Sequence, residues 1–370
     1  MKKKIGLYVH IPFCAKKCAY CDFASFAGRE RDEGVYVEAA LREAERRSSI
    51  DAAVATLYIG GGTPSLLPPA CMDRLLQGIR HRFEFLPDAE CSCECNPGTV
   101  TPDFFAVLRK NGINRLSFGA QAAQPRLLSL LGRIHSWEQV RDSIALARQS
   151  GFGNINLDLM LGLPTQTVDD VRKTLQEALS LSPTHLSCYG LIVEEGTEMQ
   201  RKVAAGEWTL PDEDIEREMY ELCRDTLFRH GFQQYEISNF ALPGFQCRHN
   251  VDCWKRKEYI GIGSSACGFL GNIRYQNPPD LSDYLAGKAA EETVISPEEA
   301  RFESVMLGLR MMEGVSDAAF AQMHGVSIRQ AFGTKLDKPL RQGLVEWRDG
   351  FLRLTRKGMD VQNSVLVELL

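Results

Sequence analysis

Residues Ile5–Cys21 read IGLYVHIPFCAKKCAYC, an apolar β-type run followed directly by three cysteines in a Cys-x3-Cys-x2-Cys spacing. Thiolates are soft ligands that favour iron–sulfur clusters, zinc or Cu(I). Three such ligands can hold a four-iron cubane and leave one iron open to a small molecule. The alternative is zinc held by Cys14, Cys18 and Cys21 with a distant histidine. Zinc sites usually pair Cys-x2-Cys with a second such pair, which this sequence lacks, so the cluster is favoured.

The sequence after this run alternates short apolar segments with segments of helical periodicity. The predicted strands are Ile5–Ile11, Ala55–Ile59, Cys91–Cys95, Ile113–Phe118, Asn154–Met160 and His185–Ile192. The predicted helices are Tyr36–Arg47, Ala70–Arg82, Pro102–Lys110, Trp137–Gln149 and Val168–Leu181. Such alternation implies right-handed βαβ units and a parallel sheet. We therefore predict an α/β fold, a partial (β/α)6 barrel, with its active site at the carboxyl ends of the strands.

The pattern changes in the second half of the chain. The predicted elements there are a helix at Glu213–Arg229, additional strands at Tyr235–Phe240 and Tyr259–Phe269, helices at Phe302–Met312 and Asp317–Met323, and a hairpin of Leu344–Trp347 and Phe351–Leu354 around Asp349-Gly350. Helices followed by a hairpin are typical of a winged helix. We expect a core barrel over 1–235, a core extension over 236–296 and a winged-helix-like domain over 297–370.

The composition of the 370 residues, 44% hydrophobic and 25% charged, is that of a soluble globular protein. A net charge of −5 gives no reason to expect a nucleic-acid partner. The basic start is followed by an apolar run too short for a signal peptide or a membrane span, and no later stretch reaches membrane-spanning length. We therefore expect a cytoplasmic protein without an integral membrane segment.

Twelve cysteines without a secretion signal indicate thiols that bind metal, react or pack rather than disulfides. Cys91, Cys93 and Cys95 alternate along one predicted strand and so face the same side. They are candidates for a metal site, but small buried core residues are the favoured interpretation. The isolated cysteines are also interpreted as packing residues: Cys71, Cys188 and Cys223.

Polar or glycine-rich features follow successive predicted strands. Gly60–Pro64 reads GGGTP, and its glycines allow a backbone to approach a ligand closely. Glu94 ends a buried strand, where a carboxylate needs a partner. Gln121, Arg133 and Asp158 follow or end later strands. Each alone is compatible with an ordinary turn or cap, but together they mark one edge of a parallel sheet as a site.

The cysteine spacing at the end of a first strand resembles the signature of the radical S-adenosylmethionine (SAM) superfamily. The resemblance implies a [4Fe–4S] cluster on Cys14, Cys18 and Cys21, with SAM bound to the open iron and cleaved to a 5′-deoxyadenosyl radical. The SAM contacts that it implies are Tyr8, Tyr20 beside the adenine, Gly61, Gly62 and Thr63 at the amino group, Glu94 at the ribose, and Gln121, Arg133 and Asp158. Gly119–Ala123 departs from the family pattern, which usually has Ser and Phe after the glutamine. No catalytic residue is assigned.

Further motifs resemble the oxygen-independent coproporphyrinogen III oxidase family over nearly the whole chain. They are Tyr8–Cys14, Gly60–Pro64, Glu94–Gly98, Leu131–His135, Asn156–Met160, Cys247–Asn250 and Tyr259–Gly263. That family has a branch of dehydrogenases, which convert two propionates of coproporphyrinogen III to vinyl groups. Its other branch contains the HemW-type haem chaperones, which bind haem and deliver it to haem proteins.

Three features favour the chaperone branch. Phe23 stands where the dehydrogenases carry a further cysteine, and the first strand begins close to Met1 rather than after a long extension. His249–Trp254 reads HNVDCW and is similar to the HNxxYW motif of the chaperones, with Cys253 in place of the usual tyrosine. Haem iron accepts histidine or cysteine thiolate as an axial ligand, so the resemblance implies His249 as a haem ligand with Cys253 as a second candidate.

The expected ligands and partners are therefore a [4Fe–4S] cluster, SAM, haem, recipient haem proteins and an electron donor. Two alternatives stay open at this point. One is a coproporphyrinogen III dehydrogenase, and the other is a radical SAM enzyme that acts on an unrelated substrate. Whether the protein is an enzyme at all is not decided by these motifs.

Overall fold

The computed structural model describes residues 2–370, and its strands form a sheet of twelve and a sheet of three. The strands are β1 (Lys3–Ile11), β2 (Ala52–Gly61), β3 (Glu84–Cys95), β4 (Arg115–Gln121), β5 (Asn154–Leu161), β6 (His185–Gly190), β7 (Gln233–Gln234), β8 (Asn239–Ala241), β9 (Tyr259–Ile262), β10 (Cys267–Leu270), β11 (Ile273–Gln276), β12 (Glu291–Val294), β13 (Val315–Ser316), β14 (Val345–Arg348) and β15 (Phe351–Leu354).

The helices lie between these strands and after them. They are α1 (Glu33–Arg47), α2 (Pro69–Arg82), α3 (Pro102–Lys110), α4 (Pro125–Leu130), α5 (Trp137–Gln149), α6 (Val168–Ser180), α7 (Glu198–Ala204), α8 (Glu213–Arg229), α9 (Arg248–Trp254), α10 (Leu281–Leu285), α11 (Pro297–Gly308), α12 (Asp317–His324), α13 (Ile328–Phe332), α14 (Asp337–Arg341), α15 (Arg356–Asp360) and α16 (Gln362–Leu369). No helix among residues 2–370 is long and apolar enough to cross a bilayer.

The large sheet is built around six parallel strands. β1 to β6 pair in chain order, and β9 pairs in parallel with the free side of β1. Antiparallel strands extend both sides, with β10, β11 and β12 beyond β9, and β8 and β7 beyond β6. The order ends at β12 and β7, so the sheet stays open within the described residues. The prediction of a partial barrel with additional strands is confirmed.

The predicted elements of the first half all overlap observed ones, and α3 and α5 have the predicted bounds. The strand predicted at Cys91–Cys95 is longer than expected, because β3 begins at Glu84. The segment Tyr259–Phe269 is two strands rather than one, because Gly263 at φ 108° and Ser265 at φ 61° turn the chain between β9 and β10. The helix expected at Phe302–Met312 begins earlier, at Pro297. There Ser296 forms a capping box with Glu299, and this arrangement fixes the helix start.

The convex face of the large sheet is apolar and packs on the helices. Its side chains belong to one continuous hydrophobic core that includes Leu7, Val9, Ile11, Leu57, Ile59, Leu116, Phe118, Ile155, Leu157, Leu159 and Leu186. Cys91, Cys93 and Cys95 are at most 3% exposed and belong to this core. Cys188 and Cys223 lie in it, and Cys71 packs against it. The interpretation of these cysteines as packing residues is confirmed.

The concave face, which we call the lumen, is polar. Strand register places on it Gly6, Tyr8 and His10 of β1, Thr56 and Tyr58 of β2, Glu90, Ser92 and Glu94 of β3, Arg115 and Ser117 of β4, Asn156 and Asp158 of β5, and His185 and Ser187 of β6. Alternate residues of a strand face opposite sides, so the apolar and polar sets interleave along every strand. The lumen therefore brings many buried polar and charged groups together on one face of the sheet.

The C-terminal unit has its own hydrophobic core, which includes Val305, Phe320, Leu352 and Val365. Helices α11 to α14 precede the β14–β15 hairpin, whose turn uses Asp349-Gly350 at positive φ as predicted. This order gives the winged-helix-like domain expected from the sequence. The domain boundaries after residues 235 and 296 stay predictions.

Candidate cofactor site

A cavity of about 420 Å³ opens at the carboxyl ends of the parallel strands. Eleven of the thirteen residues predicted for the cluster, SAM and haem line it. These are Cys14, Cys18, Tyr20, Cys21, Gly61, Gly62, Thr63, Glu94, Gln121, Arg133 and Asp158. The βαβ topology brings them together, because all of them except Arg133 lie on the carboxyl end of a strand or in the loop that follows it, and Arg133 comes from the loop after α4.

The cluster loop, Cys14–Cys21, follows β1 and is held by backbone hydrogen bonds. Ala19 N donates to Leu131 O over 2.9 Å and thereby fixes the middle of the loop. Cys21 N donates to Cys18 O over 3.2 Å. Burial raises the pKa of the Cys21 thiol to about 11, so this group keeps its proton until a metal displaces it.

Two polar groups from other loops approach the cysteine sulfurs. Thr63 Oγ1 lies 3.6 Å from Cys14 Sγ, and the Arg133 guanidinium lies 3.7 Å from Cys18 Sγ. Donors near a thiolate sulfur stabilise its negative charge and tune an iron–sulfur cluster. These two contacts therefore suit cysteine sulfurs that carry a negative charge, as the thiolate ligands of a cluster do.

The three thiols suit a cluster better than a single ion. No three His, Cys, Asp or Glu side chains among residues 2–370 converge closely enough to hold one metal ion. Zinc draws its ligands to within about 2.3 Å of one point, whereas a cubane is held by one thiolate at each of three separate irons. Cys14, Cys18 and Cys21 border one cavity without converging, so the donor set fits a [4Fe–4S] cluster.

Each glycine of the GGGTP stretch is required by a close neighbour. A Cβ on Gly60 would lie 2.9 Å from the Glu94 carboxyl carbon, and one on Gly61, at φ 112°, would lie 2.5 Å from the His10 ring. A Cβ on Gly62 would lie 3.0 Å from Cys14 Sγ. The stretch is thus wedged between the cluster loop and β3.

The backbone N–H groups of this stretch are already engaged. Gly61 N donates to Glu94 Oε2 over 3.1 Å, while Gly62 N and Thr63 N donate over 2.8 Å to the carbonyls of Ile11 and Phe13. These N–H groups are therefore not available to a ligand. Gly61 and Gly62 line the cavity, and backbone carbonyl oxygens are acceptors of the kind that suits an ammonium group.

Glu94 is held at the floor of the cavity by two donors. Tyr58 Oη donates to its Oε1 over 2.9 Å, and Gly61 N donates to its Oε2. Burial and the nearby Asp158 carboxyl raise the pKa of Glu94 to about 7. A carboxylate with so few donors keeps acceptor capacity for ligand hydroxyl groups.

Asp158 and Arg133 are held by networks of neutral partners. Asp158 accepts hydrogen bonds from Ser117 Oγ at 3.1 Å and Asn156 Nδ2 at 2.8 Å, and its burial raises its pKa. Arg133 donates over 2.7 Å to both Asn96 Oδ1 and the Gly119 carbonyl. The cavity therefore places a cation and two carboxyl groups around one space.

Gln121 occupies an unusual backbone position at the end of β4. Its φ is 63°, and the register of β4 with β5 shifts between Gly119 and Gln121. Non-glycine residues adopt this left-handed conformation rarely, and such residues concentrate at functional sites. The irregularity turns Gln121 into the lining of the cavity.

Tyr8 and His249 do not line the cavity. Tyr8 Oη lies 2.9 Å from His10 Nδ1, and its ring stacks on Tyr58 below the cavity floor. His249 is 6% exposed, and its Nδ1 lies 2.9 Å from Thr56 Oγ1 at the opposite end of the lumen. Burial, together with the Arg115 charge, lowers the pKa of His249 to about 4, so the ring is neutral. Direct ligand contacts of these two residues stay predictions.

Helix α9, which carries the HNVDCW motif, closes the amino end of the lumen. Its first N–H groups point at the buried Glu90 carboxylate, with Arg248 N at 3.0 Å and His249 N at 3.1 Å. A carboxylate there also complements the helix dipole. At the other end of α9, the guanidinium of Arg310 lies 4.4 Å from the centre of the Trp254 ring. The motif helix is thus held between the barrel and the C-terminal unit.

Several residues of the cavity were given no site role from the sequence. Tyr58, Ser117 and Asn96 contact predicted site residues directly, and Phe23, Met160 and Tyr189 also belong to the lining. The available signal was alternation. Tyr58 precedes Gly60 by two residues and Ser117 precedes Gly119 by two, so each shares a strand face with a residue at the cavity.

Comparison with known proteins shows the family of the chain. Residues 8–178 match the model of the radical SAM superfamily, and residues 295–361 match that of the HemN C-terminal domain. The chain is 35% identical to the heme chaperone HemW of Lactococcus lactis subsp. lactis (strain IL1403) across 100% of this chain and 98% of that protein. The chain belongs to the HemW family of radical SAM proteins.

Other members of the HemW family show the same extent of similarity. The heme chaperone HemW of Escherichia coli (strain K12) is 34% identical, with 98% of this chain and 97% of that protein covered. Among solved structures, the coproporphyrinogen III oxidase HemN of Escherichia coli, described as a radical SAM enzyme, superposes with a TM-score of 0.87. It is 25% identical, and the match covers 100% of this chain and 90% of that one. Membership implies a [4Fe–4S] cluster and SAM as cofactors.

Proposed function

We propose that this protein is a haem chaperone, which binds haem and delivers it to haem proteins. The observation that carries the proposal is similarity to heme chaperones HemW along essentially the entire chain, at 34–35% identity in relatives from different bacteria. Phe23 and the HNVDCW motif support the same choice from the sequence. Recipient haem proteins and a one-electron donor are the partners that this function requires.

In this proposal Cys14, Cys18 and Cys21 hold the cluster, and the cavity beside them holds SAM. Held there in its reduced form, the cluster would supply one electron for the cleavage of SAM to methionine and a 5′-deoxyadenosyl radical. The residues of this chain position the ligand around it. Glu94 accepts hydrogen bonds from hydroxyl groups, and the Gly61 and Gly62 carbonyls accept from an ammonium group.

The proposed haem ligand is His249, with Cys253 four residues later on the same side of α9. Cys253 is half-buried, and burial raises its pKa to about 12, so it serves as a thiolate only when iron displaces its proton. Because the His249 ring is buried, coordination of haem iron requires α9 to move away from Glu90. Haem binding is therefore expected to be slower than diffusion and to be coupled to motion of this helix.

A haem titration of the anaerobically purified protein tests the proposal. We expect a Soret band that saturates at a defined stoichiometry and diminishes strongly in His249→Ala. His230→Ala is the matched control, because His230 is exposed and bonds only the Thr226 carbonyl of its own helix. Equal spectra in both variants would exclude His249 as the ligand, and no saturable binding in the wild type would refute the chaperone proposal.

The fold also matches an oxidase that acts on coproporphyrinogen III, and this likeness gives the alternative function its support. Anaerobic incubation with coproporphyrinogen III, SAM and a reductant decides between the two. We expect no protoporphyrinogen. Its formation, with loss of the wild-type rate in Cys18→Ala, would replace the chaperone proposal with the dehydrogenase.

We infer a cytoplasmic location for this function. All twelve cysteines are free thiols, including six that are fully buried. A [4Fe–4S] cluster and free thiols are both favoured in a reducing compartment. Fractionation that recovers the protein in the reduced cytosol would agree with this inference, and recovery outside it would contradict it.

A further inference from the structure

A column of four aromatic rings runs along the lumen from α9 to the residues after the cluster loop. The His249 and Tyr58 rings stack with centroids 5.3 Å apart at 27°, and Tyr58 stacks on Tyr8 at 6.5 Å and 26°. The Tyr8 ring meets His10 edge-on at 6.0 Å, and His10 Nε2 lies 2.9 Å from the carbonyl of Ala24. The column thus connects the two ends of the lumen by direct contact.

Tyr58 is the ring of this column that also contacts the cavity residue Glu94. Its hydroxyl donates to Glu94 Oε1 over 2.9 Å, while its ring face supports His249. His249 in turn is tied to β2 by the 2.9 Å contact of Nδ1 with Thr56 Oγ1, two residues before Tyr58. Tyr58 therefore cannot shift without disturbing both the carboxyl group at the cavity and the ring at the motif helix.

We propose that Tyr58 is a positioning residue that couples the cavity to α9, so that SAM in the cavity tightens the packing of His249 and the motif helix. The inference rests on the assignment of the cavity to SAM, not on haem binding. According to this proposal, bound SAM opposes the exposure of the His249 ring, and exposure of that ring weakens SAM binding.

The sign of the coupling follows from the hydrogen bonds at Glu94. A ligand that donates hydroxyl groups to Glu94 favours its ionised form, and a hydrogen bond from Tyr58 to a carboxylate is stronger than one to a neutral carboxyl. The tyrosine is then held more firmly against His249. By linkage, whatever stabilises the stacked His249 must favour SAM to the same extent.

The test measures amide hydrogen exchange in residues 248–254 of cluster-loaded, oxidised protein with and without SAM. We expect SAM to slow exchange of α9 in the wild type about fivefold, equivalent to one modest hydrogen bond. Tyr58→Phe keeps the ring stack but removes the donor. This variant should bind SAM about fivefold more weakly by calorimetry and lose the SAM-dependent protection of α9.

The matched control is Tyr220→Phe, which removes a phenol hydrogen bond to the Ile237 carbonyl at 2.8 Å outside the lumen. It should retain wild-type SAM affinity and wild-type protection of α9. Glu94→Gln, which keeps an acceptor for Tyr58 but no charge, should lose the protection and thus provides a second variant.

Two results would overturn the inference. One is SAM binding to the wild type with unchanged exchange in α9, and the other is full SAM-dependent protection in both Tyr58→Phe and Glu94→Gln. Failure of the haem titration would refute the chaperone proposal while leaving this coupling intact, so the two can fail separately.

Discussion

The two ends of the lumen are formed by the same strands but differ in role. Helix α9 closes the amino end, and the carboxyl end borders the cavity. Glu90 and Glu94 lie four residues apart on the same face of β3. At the amino end, Glu90 receives two backbone N–H groups of α9 and the Cys247 thiol. At the carboxyl end, Glu94 receives two donors and borders an open cavity.

The difference shows how one sheet face separates structure from binding. A buried carboxylate whose acceptor positions are filled by the protein stabilises the fold, whereas one with acceptor positions left over is available to a ligand. Burial and the nearby Asp158 carboxyl raise the pKa of Glu94 to about 7, even though two donors contact it. The polar side chains of the lumen thus hold α9 in place at the amino end and are available to a ligand at the carboxyl end.

The largest effect is expected at the cluster loop. Each of Cys14→Ala, Cys18→Ala and Cys21→Ala should abolish the brown [4Fe–4S] absorbance and nearly all bound iron, because a cubane cannot remain with only two protein thiolates. Cys188→Ala, a buried core cysteine, is the control and should retain both. Full iron content in any cluster-loop variant would remove that cysteine from the ligand set.

The next largest effect, a loss of stability, is expected at the amino end of the lumen, which α9 closes. Glu90→Ala leaves the buried N–H group of His249 and the partly buried N–H group of Arg248 without an acceptor, so it should destabilise the protein by about 2–4 kcal/mol in denaturant unfolding. Glu84→Ala, at the exposed start of the same strand, should cost less than about 0.5 kcal/mol. Equal losses would show that α9 does not depend on the Glu90 carboxylate.

At the carboxyl end of the lumen, the affinity for SAM should instead depend on pH. Because the pKa of Glu94 is raised to about 7, the carboxyl gains its charge as pH rises through neutrality. Hydroxyl donors bind the ionised form better, so SAM affinity should increase about tenfold between about pH 6 and 8. The facing Asp158 carboxyl opposes this ionisation and the Arg115 charge favours it.

Calorimetric titrations across this range provide the measurement. Glu94→Gln cannot ionise and should flatten the profile, whereas a wild-type profile that is already flat would contradict the assigned shift. The same raised pKa predicts the opposite trend for folding. The free protein should lose stability as pH rises from about 5 to 8, because the folded state holds this proton more tightly than the unfolded chain does.

The smallest effect tests the support of His249. Thr56→Val preserves shape but removes the partner of His249 Nδ1, which should cost about 1–2 kcal/mol of unfolding free energy. Thr293→Val on the exposed strand β12 provides the control and should change stability little. No loss in Thr56→Val would indicate that the buried imidazole finds another partner.

Most of the site residues at the carboxyl end of the lumen were predictable from the sequence, whereas few contacts at its amino end were. The cysteine spacing, GGGTP and the residues ending β3 to β5 lie at strand ends, so topology alone gathers them. The place of His249 depends on how α9 folds back under the sheet, and this is a long-range contact without a local signal. Tyr58 was missed because an isolated tyrosine in an apolar strand reads as core.

The sequence also predicted the position of the hairpin turn, but it did not predict the first residue of helix α11. Asp349-Gly350 predicted the hairpin because only such residues tolerate positive φ at both positions. The start of α11 depended on a capping box at Ser296 that the apolar periodicity of Phe302–Met312 did not include. Cap chemistry, rather than hydrophobic pattern, sets that boundary.

The large sheet has two free sides, at β7 and β12. A closed barrel has a fixed girth, because widening it breaks hydrogen bonds between strands. An open sheet changes its curvature by adjusting twist, with every ladder intact. The lumen of this protein is therefore not held to one width by a closed ring of strands, and we expect its width to adjust to what binds inside it.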